Sequence, residues 1–408
     1  MTDVSPRHAP LGFNAFVAMV AALMGLNALA IDIMLPGLPA IGQAFGLDDP
    51  NRAQVVIVAY MAGFGGGQLF IGLLADRFGR KPVLLFGLVA YALAALACII
   101  APSFEMLLAA RVVQGIASAA PRVISTAVVR DCYSGRQMAQ VISLSMTIFM
   151  AVPVMAPSIG QGILLIAPWQ AVFGVLALYA VVMAWICGTK MPETLAVEDR
   201  RPIRIPAIVE AFRSVLGSRM TMGYTLAAGA FMGALFGFVT CAQQVLGEVM
   251  GLGNMFPVVF AVIAGSIAFS SFLNAWLVER WGMRFLSHSA VLIFLTLAVI
   301  LFLTATTITL IPFLILLSFM MLMVGLTFSN FNALAMEPQG HVAGTASSLI
   351  GAITVTMGTL IGSAIGQSFD DTIVPLSVGY VFCGLVTLAI LLVTEKGRLL
   401  SRGTDAER

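Results

Sequence analysis

The sequence predicts an all-α integral membrane protein, with twelve transmembrane helices arranged as two pseudo-symmetric six-helix bundles. Three observations predict it: a composition ill suited to water, about twelve apolar runs of spanning length, and a charged turn that recurs half a chain apart. Of the 408 residues, 60% are hydrophobic and 10% charged, with mean hydropathy +1.01. A soluble domain carries about 25% charged residues. Lipid is therefore the solvent expected for most of this surface.

A helix crossing hydrocarbon needs roughly 20 mostly apolar residues. Such runs occur near 14–38, 53–75, 82–101, 104–130, 138–166, 169–188, 221–247, 255–278, 286–306, 309–335, 343–368 and 373–394. Short polar turns separate them, and they lack the short alternating pattern of barrel strands. The 39 glycines suit close approach of helices in lipid. With both termini in the cytoplasm, Arg52 is the only basic residue outside, where Asp48, Asp49, Glu105, Glu248, Asp370 and Asp371 also fall. Arg111 and Arg122 lie within a span, and every other basic residue is inside, as positive-inside topology requires.

The start of the chain resembles a secretory signal, with Arg7, an apolar stretch and Ala28-Leu29-Ala30. Cleavage there would leave an odd number of spans and invert the charge bias downstream, and the stretch runs straight into Asp32. The first span is expected to be retained. Cys98, Cys132, Cys187, Cys241 and Cys383 are scattered without metal-ligand or disulfide spacing, so packing is their expected role and no metal site is predicted. His8 and His341 fall in loops and His288 beside a basic loop; none is assigned to a proton relay. No nucleophile–base set or phosphate loop appears, so an enzyme is not expected.

The internal repeat fixes the organisation. Gly72-Leu73-Leu74-Ala75-Asp76-Arg77-Phe78-Gly79-Arg80-Lys81 follows the second span, and Ala275-Trp276-Leu277-Val278-Glu279-Arg280-Trp281-Gly282-Met283-Arg284 follows the eighth. Acid, arginine, aromatic, glycine and a final base keep their order and spacing. Ser158-Ile159-Gly160-Gln161 is echoed by Ala364-Ile365-Gly366-Gln367. Parallel repeats of this kind build one large class of transporters. The expected divisions are a bundle at 1–188, a cytoplasmic linker at 189–218 and a second bundle at 219–408. The linker carries Lys190, Arg200, Arg201, Arg204 and Arg213; it reads as a topological signal, partly an amphipathic surface helix, rather than a nucleic-acid site.

Charges inside spans mark function by default. Asp32, in Ala30-Ile31-Asp32-Ile33-Met34-Leu35-Pro36-Gly37, is the only acid within the hydrophobic body of any span. It lies at a depth similar to Arg111 and Tyr60. Arg111 and Arg122 are about three turns apart and share a face with Gly115 and Ser118, which must line a polar cavity. An acid held between desolvation and a nearby cation can bind and release a proton during a cycle. The alternative is a permanently ionised structural pair of Asp32 with Arg111.

Gly72–Lys81 matches the loop signature G-x-L-A-D-R-x-G-R-K, and here the chain resembles the major facilitator superfamily. That resemblance implies a conformational latch of Gly72, Asp76, Gly79, Arg80 and Asp131. In it Asp76 would face the positive start of the eleventh helix near Gly344, and Arg80 would pair with Asp131 at the end of the fourth. Arg111-Val112-Val113-Gln114-Gly115 resembles the family's R-x-x-Q-G motif. Pro153-Val154-Met155-Ala156-Pro157-Ser158-Ile159-Gly160-Gln161-Gly162 resembles its antiporter motif G-P-x-x-G-G, with Ala156 and Gln161 in place of two glycines; Pro153, Pro157 and Gly160 are its retained elements. The A-I-D-I-M-L-P-G-L-P string, Arg130-Asp131, Met191-Pro192-Glu193-Thr194, and Glu337-Pro338 through Ala343–Gly351 together resemble Bcr/CflA-type drug-resistance proton antiporters.

The resemblance implies proton-coupled efflux of small amphipathic drugs by alternating access, from a monomer in the bacterial inner membrane, driven by a proton gradient without cofactor. Substrate-binding candidates are Asp32, Tyr60, Arg111, Gln114, Arg122, Phe236, Gln243, Asn330, Phe331 and Asn332, with Asp32 and Arg111 in proton coupling. One acid against two arginines favours neutral or zwitterionic drugs over dications. Proton-driven import of a metabolite, and a sensor or scaffold on a transporter fold, are the competing readings.

Overall fold

In a computed structural model of the chain, residues 11–200 and 205–400 are described. His8 and the linker arginines Arg201 and Arg204 lie outside the described residues. Fourteen α-helices are present among those residues, and no strand: α1 (Phe13–Asp32), α2 (Leu38–Ala44), α3 (Val55–Phe78), α4 (Arg80–Ile99), α5 (Phe104–Cys132), α6 (Gly135–Leu164), α7 (Gln170–Lys190), α8 (Ile205–Gly217), α9 (Arg219–Ala242), α10 (Phe256–Trp281), α11 (Met283–Thr304), α12 (Leu310–Met336), α13 (Ala343–Gln367) and α14 (Val374–Thr394). Twelve segments are long and apolar enough to cross a membrane. In hydrocarbon every backbone N–H and C=O needs an internal partner, which a helix supplies within itself. Large apolar side chains such as Phe86, Ile100, Trp185, Phe272 and Leu303 face outward, as a lipid-facing surface requires. The protein is a multi-pass membrane protein.

Local sequence sets the ends and breaks of these helices. Ser103 accepts a bond from the Met106 N–H at 3.3 Å to open α5, and Ser218 does the same for Thr221 at 3.3 Å to open α9. Two turns require glycine: Gly79 before α4 has φ +102°, and Gly282 before α11 has φ +77°. These are the glycines of the repeated charged turn, so the sequence echo is also an echo of backbone geometry. The first spanning segment breaks after Asp32, passes through a 3₁₀ turn at Leu35–Gly37, and resumes as α2. Pro36 disfavours a helical conformation at Leu35 and lacks an N–H to continue the ladder. The seventh span ends in a π-helical segment, Gln243–Val249.

The described residues pack as two compact units, one of residues up to Gly37 with Ala59–Ile208, the other of Leu38–Val58 with Val209 onward. The division follows the halves of the sequence except for 38–58, which joins the second unit and cuts through the start of α3. Within the first unit α1 packs on α5, α6 and α7, and α4 packs on α5 and α7. Within the second, α9 packs on α12, α13 and α14, and α11 packs on α12 and α14. Each unit thus repeats one packing scheme around its first spanning helix.

Candidate functional site

The first unit builds a buried cationic centre at the break in the first span. Arg111 of α5 is fully buried. Its Nη1 donates to Gln114 Oε1 at 2.8 Å, and its Nη2 donates to the Ala30 carbonyl at 3.2 Å. The last carbonyls of a helix have no intrahelical donor, and Ala30 lies in the last turn of α1. Arg111 therefore caps the end of α1 from a neighbouring helix. The guanidinium carbon also sits 4.4 Å from the Tyr60 ring centroid and 5.7 Å from that of Phe173. Ring faces stabilise a desolvated cation. Tyr91 and Cys98 of α4 lie close enough to feel its charge.

Asp32 is the final residue of α1 and keeps only 6% exposure. A polar shelf lies one to two turns before it: Tyr60 Oη donates to Asn27 Oδ1 at 3.0 Å, and Ser118 Oγ bonds the Gly115 carbonyl at 2.7 Å. Gln114 Nε2 and Tyr91 Oη are buried without a hydrogen-bond partner. The centre thus offers one acid, one fixed cation and two unsatisfied polar groups. Tyr60, Arg111 and Gln114 are in contact with one another through Arg111, beside the end of α1 that Asp32 terminates. Asn27, Tyr91 and Phe173 were not singled out from sequence. Asn27 was detectable, since it is a polar residue in an apolar run like Asp32; an aromatic such as Phe173 carries no such signal.

Close helix approach holds the centre. A Cβ on Gly115 would collide with the Tyr60 carbonyl, and one on Gly63 with the Val112 carbonyl, so α3 and α5 touch backbone to backbone beside Arg111. A Cβ on Gly160 of α6 would strike the Ile33 carbonyl, one residue past Asp32. Pro153 and Pro157 lie earlier in α6 and interrupt its hydrogen-bond ladder. Arg122 is half-buried further along α5, and Gly72 is half-buried in α3.

A second cluster occupies the turn before α4. Arg80 Nη1 pairs with Asp76 at 2.6 Å and its Nε with Asp131 at 3.2 Å. Glu193, beyond α7, accepts the backbone N–H groups of Arg80 at 2.9 Å and Lys81 at 3.2 Å, and Thr194 Oγ1 donates to Asp131 at 3.0 Å. Glu193 is thus the N-terminal cap of α4, supplied from the start of the linker. Sequence spacing could not reveal this, because 113 residues separate acceptor and donor.

The second-unit candidates fall in three places. Phe236 packs on Gly362 of α13. Gln243 lines a cavity of about 260 Å³ with Gln54, Thr240, Gln244 and Glu248. Asn330 donates to Asn274 Oδ1 at 2.7 Å, bridging α12 and α10; Phe331 is fully buried with its ring 5.5 Å from that of Tyr224; Asn332 bonds the Phe328 carbonyl at 3.0 Å. The structure does not gather these five into one cluster. Asn51, in the same unit, donates to the Phe369 carbonyl at 2.8 Å and accepts from Gln244 at 2.7 Å.

A family model described as Major Facilitator Superfamily matches residues 20–366. The chain belongs to this superfamily. Among its relatives are the "Uncharacterized MFS-type transporter YdgK" of Bacillus subtilis, 30% identical over 95% of this chain and 98% of that protein, and the "Bicyclomycin resistance protein homolog" of Haemophilus influenzae, 31% identical over 95% and 98%. A "Multidrug resistance protein MdtL" of Klebsiella pneumoniae is 28% identical over 96% of this chain and 98% of its own length. These names agree with the Bcr/CflA-type resemblance. A solved bacterial homologue of the human lysosomal transporter Spinster, inward-facing and occupied, superposes with TM-score 0.72 at 16% identity, covering 96% of this chain and 99% of that one. The human organic anion transporter MFSD10 gives 0.67 at 18% identity over 94% and 100%. Both likenesses establish the fold. As a member of this superfamily the chain is a transporter rather than an enzyme.

Proposed function

We propose that this transporter is a proton-coupled exporter of small amphipathic drugs, working by alternating access. The observation that carries the reading is the placement of Asp32 at the broken end of α1, two residues beyond the carbonyl that Arg111 holds. When Asp32 is ionised it competes with Ala30 and Gln114 for the guanidinium; when it is protonated the competition ends. Proton binding is thereby tied to the end of a helix, and a helix end can move. Protonation favours outward release of drug, and deprotonation toward the cytoplasm restores the drug-binding form. The drug-resistance names of relatives support export over import.

Asp32 and Arg111 carry the coupling in this reading, with Tyr60, Gln114 and the half-buried Arg122 completing the first-half wall. Phe236, Gln243, Asn330, Phe331 and Asn332 belong to the second half's contribution. The Asp76–Arg80–Asp131 cluster is the latch that biases the cycle, with Asp76 facing the start of α13 in one of its states. Pro153, Pro157 and Gly160 let α6 bend and slide on α1. The protein acts as a monomer in the bacterial inner membrane, with both termini and the 189–218 linker in the cytoplasm and bundles at 1–188 and 219–408. One acid beside fixed cations selects neutral or zwitterionic drugs over dications.

The test reconstitutes wild type and Asp32→Asn in proteoliposomes under an imposed pH gradient, following internal pH and drug movement for an antibiotic panel. Drug-dependent proton flux in the opposite direction, lost in the variant, is expected. Co-directional flux would establish import instead. A dicationic dye moved better than neutral antibiotics would overturn the substrate preference.

A further inference from the structure

The second unit contains a hydrogen-bonded chain that the transport reading does not use. His288 of α11 is buried, with its ring stacked parallel to Tyr224 of α9. Its Nδ1 lies 3.2 Å from the backbone N–H of Leu400, and its Nε2 lies 3.2 Å from Tyr224 Oη. Tyr224 donates in turn to Glu395, just beyond α14, and Glu395 also accepts from Arg284 Nε at 3.1 Å. The far side of Arg284 reaches Glu337 at 3.4 Å.

The protons in this chain have one consistent arrangement. A backbone N–H can only donate, so Nδ1 accepts and carries no proton. In a neutral imidazole the proton then sits on Nε2, which donates to Tyr224 Oη, leaving the phenol free to donate to Glu395. A second proton on His288 can only go to Nδ1, and there it faces the Leu400 N–H donor. The Leu400 contact and a charged imidazole are therefore mutually exclusive.

Two further features make Leu400 the responsive end. Its side chain is 39% exposed, so apolar burial contributes little to holding it. Its φ is +64° and that of Lys396 is +52°, left-handed conformations that non-glycine residues keep only when other contacts enforce them. Once the bond to His288 is lost, this backbone relaxes. The other charged groups nearby are Arg284 on the same helix, Glu337 after α12, Glu395 after α14, and the exposed Glu279, Arg280, Lys396 and Arg398. None of these groups restores an acceptor to Leu400.

We propose that His288 is a second proton-binding site, whose occupancy is read out by release of residues 395–400, which follow α14. Its sign follows from the geometry: docking is present while His288 is neutral and is lost as pH falls through its titration. The regulatory meaning rests on the export reading, in which this end of the unit faces the cytoplasm; protons carried in would then free the segment beside the Arg284–Glu395 tie. The site itself does not depend on that reading.

The experiment uses the full chain in detergent, with equal pH on all sides, so it reports on the site whether or not the protein antiports. Hydrogen exchange of the peptide containing Leu400 is followed from about pH 8 to about pH 3, corrected for intrinsic exchange, a range wide enough to charge a buried imidazole. Wild type is expected to lose protection roughly fivefold as pH falls, the scale of one hydrogen bond. His288→Asn offers a non-titrating acceptor near the Nδ1 position and should stay protected throughout. Nitrogen NMR of the 3 histidines reads the tautomer in wild type alone, with Nε2 protonated in the docked form. Protection independent of pH in wild type, release in His288→Asn matching wild type, or an Nδ1-protonated tautomer at high pH would each overturn the proposal.

Discussion

Removing the Glu193 carboxylate should loosen the start of α4 although Glu193 lies far from it in sequence. The carboxylate accepts N–H bonds from Arg80 at 2.9 Å, Lys81 at 3.2 Å and Leu195 at 3.0 Å. Two of these donors belong to the first turn of α4, where the helix itself offers no acceptor. A capping side chain is worth about 0.5–2 kcal/mol, and bonds to a charged group reach about 1.5–3 kcal/mol when shielded from water. Glu193 is half-buried, so water recovers part of the loss; Glu193→Ala should cost about 2 kcal/mol. Glu193→Gln keeps an acceptor oxygen but loses the charge that favours a helix N-terminus, so about 1 kcal/mol is expected. All five cysteines are buried, which supplies the assay: a thiol-reactive dye reports unfolding on heating as the sulfurs become accessible. Glu193→Ala melting with wild type would refute the capping argument. Because Thr194 bonds Asp131, which itself pairs with Arg80, Glu193→Ala and Asp131→Asn should be non-additive by more than about 0.5 kcal/mol.

Arg111→Lys keeps the charge but cannot span Gln114 and the Ala30 carbonyl while lying flat on Tyr60, so drug transport should fall at least about tenfold with expression unchanged; transport at the wild-type rate would show that charge alone suffices. Gly115→Ala forces a Cβ onto the Tyr60 carbonyl, and should lower stability by about 1–3 kcal/mol in the same dye assay. An unshifted melt would mean that α3 and α5 separate without cost.

The spans were legible because the requirement to bury backbone polar groups in lipid leaves a long apolar run few alternatives. The pairing of Arg80 with Asp131 was legible through the loop motif, and Asp32 and Arg111 through the cost of charge in a span. Arg111 reaches a main-chain carbonyl, that of Ala30. Backbone acceptors are present at every residue, so no sequence pattern marks the one at Ala30 as available; the break after Asp32 makes it so. The assignment of 38–58 to the second unit was likewise hidden, because Asn51 and Gln54 sit in a short polar turn that reads as a plain connection. His288 reads in sequence as one more residue of a basic turn, and the partner of its Nδ1 is Leu400, an apolar residue contributing only its N–H.

The position of Glu193 has a practical consequence for dissecting this molecule. Helix boundaries alone would suggest ending an isolated first half at Lys190, where α7 stops. Such a fragment would lack the carboxylate that closes its own third spanning helix. The second half has the same dependence, since Glu395 lies one residue past the end of α14 and ties back to Arg284. In each half the residues just after the last membrane crossing are part of the folded body, so fragments meant for separate expression and recombination should extend past Glu193 and Glu395 before the chain is cut.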